Sequence, residues 1–198
     1  MVFLDLESQL TFYKAYHNNK INVYIHMIFV PLIAATVLFA LTNTPALFYI
    51  GNFPINGAFG LTTYYLVTYI LMEPVAGFSL FPVLYTAIYY LHKLNLQYGM
   101  QGNKVAGVLF VVSWIFQFLG HGAFEGRAPA LLDSFTQAFL LAPFFVWFEL
   151  LFKFGYRPEL QKRLEERTVK VLQKEEEKKA KKLAEKQTNG NGVAKKAQ

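Results

Sequence analysis

The most chemically loaded stretch of this chain is Gln117-Phe-Leu-Gly-His121-Gly-Ala-Phe-Glu125-Gly-Arg127-Ala-Pro129, which closes the apolar run Val105 to Leu119. It brings an imidazole, a carboxylate and a guanidinium within seven residues, and charge beside so apolar a run is costly enough to imply a role. Four residues separate His121 from Glu125, so on an α-helix both side chains leave one face. Imidazoles with one carboxylate suit Fe(II), Zn or Mn, and a set that leaves positions open suits a non-haem iron oxygenase. The chain has no cysteine, which removes a thiolate metal site and a Cys nucleophile together. No HExxH helix is present, so zinc hydrolysis is less favoured. Four histidines are too few for a multi-histidine di-iron membrane hydroxylase.

The other histidines are His17, His26 and His92. On one unbroken helix His17 and His26 would point to roughly opposite faces at about 100° per residue. A break at Asn18-Asn19 lets them converge. Tyr13 and Asn22 stand four residues before them and, with Arg127, are candidate substrate-binding groups, a guanidinium being suited to hold a carboxylate bidentately. Each of these residues has a plainer reading. A single neutral histidine readily finds a backbone partner in a core, and Glu125 and Arg127 can pair with each other or with Asp133. Glu125 is read as a ligand beside His17, His26 and His121, or as a group that orients His121. Asp133 is read as a partner of a ligand. His92, beside Lys93, is the outsider.

These residues must be positioned by membrane helices. Apolar residues make up 54% of the chain and aromatic residues 17%, with 20 Phe and 12 Tyr spread over long apolar runs. The expected fold is all-α, a polytopic integral membrane helical bundle of about four spanning helices, plus a broken or interfacial helix and a charged C-terminal tail. An amphipathic helix opens the chain with Asp5 as N-cap. Apolar runs begin at Val23, Ala58, Val75 and Val105, the first of nineteen residues and about long enough to span a bilayer. Thr42 to Gly57 reads as an uncharged loop, and Glu73-Pro74 as a helix end or kink. Pro143 divides the last apolar segment, Ala130 to Phe154. His121 can meet His17 and His26 only if their helix ends face the same side, and four crossings satisfy that condition.

Charge divides the chain in two. From Lys153 onward there are 14 basic and 7 acidic residues, against 5 and 6 before it. A neutral body with a cationic tail suits the cytosolic leaflet, so both termini are expected in the cytosol. No nucleic-acid motif accompanies the charge. The expected division is a membrane-embedded catalytic domain over 1–156 and a charged helical to disordered tail over 157–198. Lys195-Lys196 fits a dilysine retrieval pattern, with a coat protein as its reader.

Two blocks carry a family resemblance: Leu10-Thr-Phe-Tyr13-Lys-Ala-Tyr-His17 through His26-Met-Ile-Phe-Val-Pro31, and Trp114-Ile-Phe-Gln117 through Pro129-Ala-Leu. Together with Leu141-Ala-Pro143 they resemble the fungal endoplasmic-reticulum 2-hydroxy fatty acid dioxygenases, over about Asp5 to Pro158. The resemblance implies Fe(II)-dependent α-oxidation, in which a 2-hydroxy long-chain fatty acid and O2 give the acid one carbon shorter, in phytosphingosine breakdown. It places motif histidines on His17, His26 and His121 and an acidic position on Glu125. The alternatives from other classes are a non-catalytic membrane adaptor with structural histidines and a zinc-dependent lipid hydrolase.

Overall fold

The structure, a computed structural model, describes residues 4–126 and 137–194. Arg127, Pro129, Asp133 and the Lys195-Lys196 pair, all singled out from the sequence, lie outside the described residues. Asp5 caps α1 (Leu6–Tyr16), accepting the Ser8 N–H at 3.3 Å. α1 stops because His17 leaves helical geometry at φ −126° and ψ 64°. Asn19 then caps α2 (Lys20–Leu41), its side chain accepting the Ile21 N–H at 2.8 Å. The chain therefore breaks at Asn18-Asn19, where the sequence placed a turn.

The uncharged segment after α2 is not all loop. An antiparallel hairpin pairs β1 (Phe48–Ile50) with β2 (Phe53–Ile55) around Gly51-Asn52. Asn56 caps α3 (Gly57–Met72), and Glu73-Pro74 makes the expected break. There Glu73 accepts the Ala76 N–H at the start of α4 (Pro74–Leu119), whose first-turn proline has no N–H to leave unpaired.

α4 runs through the polar connection at 92–104 because Lys, Leu, Gln and Met are good helix formers. Its continuity is broken only at Gly99, where φ 47° and ψ −122° suit a residue without Cβ. Leu84 and Trp114 line one cavity, although a straight helix would hold them about 45 Å apart. The element thus doubles back at Gly99. Its second arm lies antiparallel on α2, with Asn103 hydrogen-bonded to Asn43 and Phe116 stacked on Phe29 at 4.5 Å.

By length and composition two helical stretches can cross a membrane, Lys20–Leu41 and Pro74–Glu125, or three if the bent pair Phe139–Lys153 and Pro158–Lys182 counts as one. The expected count of about four includes α3, which has only 16 residues, and takes the two arms of the bent element separately. The flanks of these helices expose Val67, Leu71, Phe78, Phe81, Val108 and Ile115, an apolar surface suited to lipid.

α5 (Ala142–Lys153) and α6 (Pro158–Ala194) complete the core. Phe144, Phe145 and Phe148 of α5 pack with Leu10, Tyr69 and Ala76. The hydroxyls of Tyr65 and Tyr69 hold the carbonyls of Phe139 and Leu140 at 2.9 and 2.7 Å, anchoring the π-helical turn Gln137–Leu141 to α3. Leu160 and Leu164 of α6 are buried in the same core, and Glu7 pairs with Arg163 and Arg167 at 3.3 and 3.2 Å. Packing therefore runs past the compositional boundary at 156/157.

Candidate metal centre

His17, His26 and His121 are buried and offer ligand atoms that all lie within 4.8 Å of one another. Their rings stand edge to face, with centroids 4.2 Å apart for His17 and His26, 4.8 Å for His17 and His121, and 4.9 Å for His26 and His121. The nine-residue spacing of the first pair is reconciled by the chain break. His17 caps the end of α1 while His26 sits two turns into α2.

Each of these two rings is oriented by a carbonyl one turn earlier. His17 Nδ1 donates to Tyr13 O at 2.8 Å and His26 Nδ1 to Asn22 O at 2.9 Å. A carbonyl can only accept, so in the neutral ring Nδ1 carries the proton and Nε2 the lone pair that can ligate an ion. Metal-ligating histidines are commonly held in this way. The donor set therefore fits a divalent ion that accepts imidazole, Fe(II) included.

His121 lies in a π-helical turn, Gly120–Glu125, closed by the Gly126 N–H on the His121 carbonyl. Such wide turns interrupt helical register and recur at functional sites. Glu125, the last residue of that turn, makes its polar contacts across the α1–α2 joint. Its Oε1 accepts the Asn19 N–H at 2.8 Å and the Asn22 Nδ2–H at 3.1 Å, fastening the α1–α2 joint to the end of α4. Asn22 is fully buried between Glu125 and His26, with Gly120 directly against its side chain. Among the described residues the metal-competent group consists of the three histidines. His92 stands at the other end of the bundle, 6.5 Å from the Phe53 ring.

The histidines close one end of a largely apolar cavity between α2, α3 and both arms of α4. Tyr13 and Gln117 line its histidine end, with the Tyr13 hydroxyl and Gln117 Nε2 buried and without hydrogen-bond partners among the described residues. Burial pushes the Tyr13 phenol well above its ordinary pKa, helped by the negative charges of Glu149 and Glu125, so it remains a donor. Gln117 was not singled out as a site residue from the sequence, although it stands four residues before His121 on the same helix. His17 also borders a second pocket whose lining includes the charged side chains of Lys14, Lys20, Glu149 and Lys153. There Lys14 pairs with Glu149 at 3.3 Å.

Comparison with known proteins gives consistent matches. Residues 3–154 match the family model described as 2-hydroxy-palmitic acid dioxygenase Mpo1-like. Over 165 residues the chain is 38% identical to the 2-hydroxy-palmitic acid dioxygenase MPO1 of Saccharomyces cerevisiae, covering 82% of this chain and 88% of that protein. No solved structure matches.

Proposed function

The chain belongs to the Mpo1-like family, and from that premise we propose that it shortens 2-hydroxy long-chain fatty acids by one carbon with O2. The observation that carries this reading is the buried group of three histidines at the head of an apolar cavity. Fe(II) held by His17, His26 and His121 would supply a Lewis-acidic, redox-active centre with positions left for the 2-hydroxy carboxylate and O2.

The chain's own residues bind and orient. The carbonyls of Tyr13 and Asn22 keep His17 and His26 in the tautomer that presents Nε2. The Gln117 amide and Tyr13 hydroxyl offer N–H and O–H to the substrate carboxylate, and we propose Arg127, outside the described residues, for the same role. The apolar walls keep bulk water from the reacting carbons and strengthen those polar contacts. Glu125 is assigned to the centre through Asn22, holding the residue that orients His26.

We place the reaction at the endoplasmic-reticulum membrane, in the breakdown of phytosphingosine, with both termini cytosolic. Four crossings, by α2, α3 and the two arms of α4, are supported by the reversal at Gly99, which returns His121 to the side of His17 and His26. The Lys195-Lys196 pair is proposed as the retrieval signal that a coat protein reads.

The test is anaerobic reconstitution with Fe(II), followed by O2 and 2-hydroxypalmitate and measurement of product mass. A product one carbon shorter, formed only with both metal and O2, is expected. Protein without stoichiometric metal would point to an adaptor, and turnover without O2 to a hydrolase.

A further inference from the structure

The cavity that starts at the histidines follows one face of α2, lined in turn by His26, Val30, Ile33, Ala34, Val37 and Leu38. Those residues span about 18 Å at the helical rise of roughly 1.5 Å per residue. Leu61 and Tyr65 of α3 and Leu80 and Leu84 of α4 form the facing wall. The two ends differ in chemistry. At the histidine end, Tyr13 and Gln117 bring buried polar atoms that lack partners among the described residues. At the other end the walls meet a packed cluster of Leu38, Ala58 and Ile88, exposed by 9%, 1% and 1%. A polar head and a plugged apolar end describe a slot for one amphiphile of limited length.

We propose that this slot gauges the acyl chain, the terminal methyl abutting the Leu38–Ala58–Ile88 plug and Leu61 and Leu84 setting the upper limit. A zigzag of C–C bonds of about 1.5 Å advances about 1.25 Å per bond, so the slot admits about 14 carbons beyond the head group. Retention should strengthen roughly fourfold per buried methylene until the slot is full. It should then stop rising, because a longer chain must displace residues that are already packed. The identity of the head group rests on the 2-hydroxy fatty acid reading, whereas the gauge concerns the tail alone.

The test uses the full chain in detergent with its metal bound, offered saturated fatty acids and their 2-hydroxy counterparts over a range of lengths. Retained lipid is counted by native mass spectrometry. Retention is expected to peak near 16 carbons and fall at least tenfold by about 20, given a slot of about 18 Å. Ala34→Phe, about 12 Å beyond His26, should lower the limit to about 12 carbons in all, about 10 of them beyond the head group. Leu84→Ala should raise it by about two carbons through the space it opens. A wild-type profile without a length limit, or one unchanged by both variants, overturns the proposal. If Ala34→Phe fails to fold, Leu84→Ala and the wild-type profile still decide. Plain fatty acids that obey the limit while 2-hydroxy acids are not oxidised would leave the gauge standing and remove the reaction. Turnover without a length limit would do the reverse.

Discussion

Gly120 lies so close to Asn22 that a methyl group on residue 120 would overlap the Asn22 Oδ1. Asn22 has no room to yield, since its amide donates to Glu125 and its carbonyl holds His26. Gly120→Ala should therefore cost about 1–3 kcal/mol of stability, as overpacking does. It should also weaken metal binding roughly 10–100-fold through the displaced histidine. Gly122 has open space around it, so Gly122→Ala is the matched control and should change neither. Thermal unfolding and titrated metal content check both.

Glu125 separates two roles by substitution. Glu125→Ala removes the acceptor of two N–H groups and should cost about 1–3 kcal/mol, with a loss of metal affinity transmitted by Asn22. Glu125→Gln keeps a side-chain oxygen at the same reach and should retain most of the bound metal. If the carboxylate itself binds the ion, Gln will lose metal as badly as Ala, which elemental analysis would show.

Replacing His17, His26 or His121 by Ala should abolish stoichiometric metal and lower turnover by more than the roughly 10–100-fold that a ligand's supporting partner is worth. His92→Ala should leave both unchanged. Equal metal content in all four variants would sink the assigned centre.

Removal of Lys174 to Gln198 should spare folding and metal binding, because the part of α6 in the main core is the first turns, at Leu160 and Leu164. Leu164→Ala should cost about 2–5 kcal/mol despite lying in a charged stretch. Denaturation of the two proteins side by side provides the measurement. A short truncation as damaging as Leu164→Ala would overturn the assignment of the boundary.

Electron balance gives a further outcome for the proposed reaction. R–CHOH–COOH + O2 → R–COOH + CO2 + H2O oxidises the two carbons by four electrons, all accepted by O2, so no reductant is needed. Release of the lost carbon as formate would instead oxidise the carbons by two electrons, leaving hydrogen peroxide as co-product unless an added donor supplied two more. One O2 consumed and one labelled CO2 formed per product is the expected stoichiometry, and formate with obligatory reductant would reject it.

Much of the site was legible in the sequence because its parts are local. Asn18-Asn19 marks the break that lets His17 meet His26, and Glu73-Pro74 marks the turn into α4. The harder features lack a local signal. Four-residue spacing relates Glu125 to His121 but says nothing of Asn19 and Asn22, the partners it meets 106 and 103 residues away in the chain. Nothing in the polar residues 92–104 distinguishes a loop from a continuing helix, so composition alone divides the single bent element into two runs. Leu160 and Leu164 carry no compositional signal of their place in the core, because the charged residues around them dominate any average. The hairpin at 48–55 pairs only three residues per strand, too few for alternation to register.

His17 borders both the apolar cavity and the lysine-lined pocket, so its ring serves as a partition between two solvents. A centre held there would have an apolar cavity on one flank and a lysine-bearing pocket on the other. Loss of that ring would open a leak as well as remove a ligand. His17→Ala should consequently hydrate the acyl slot and weaken lipid retention even in metal-free protein, a defect that His121→Ala, which borders the apolar cavity but not the second pocket, should show less.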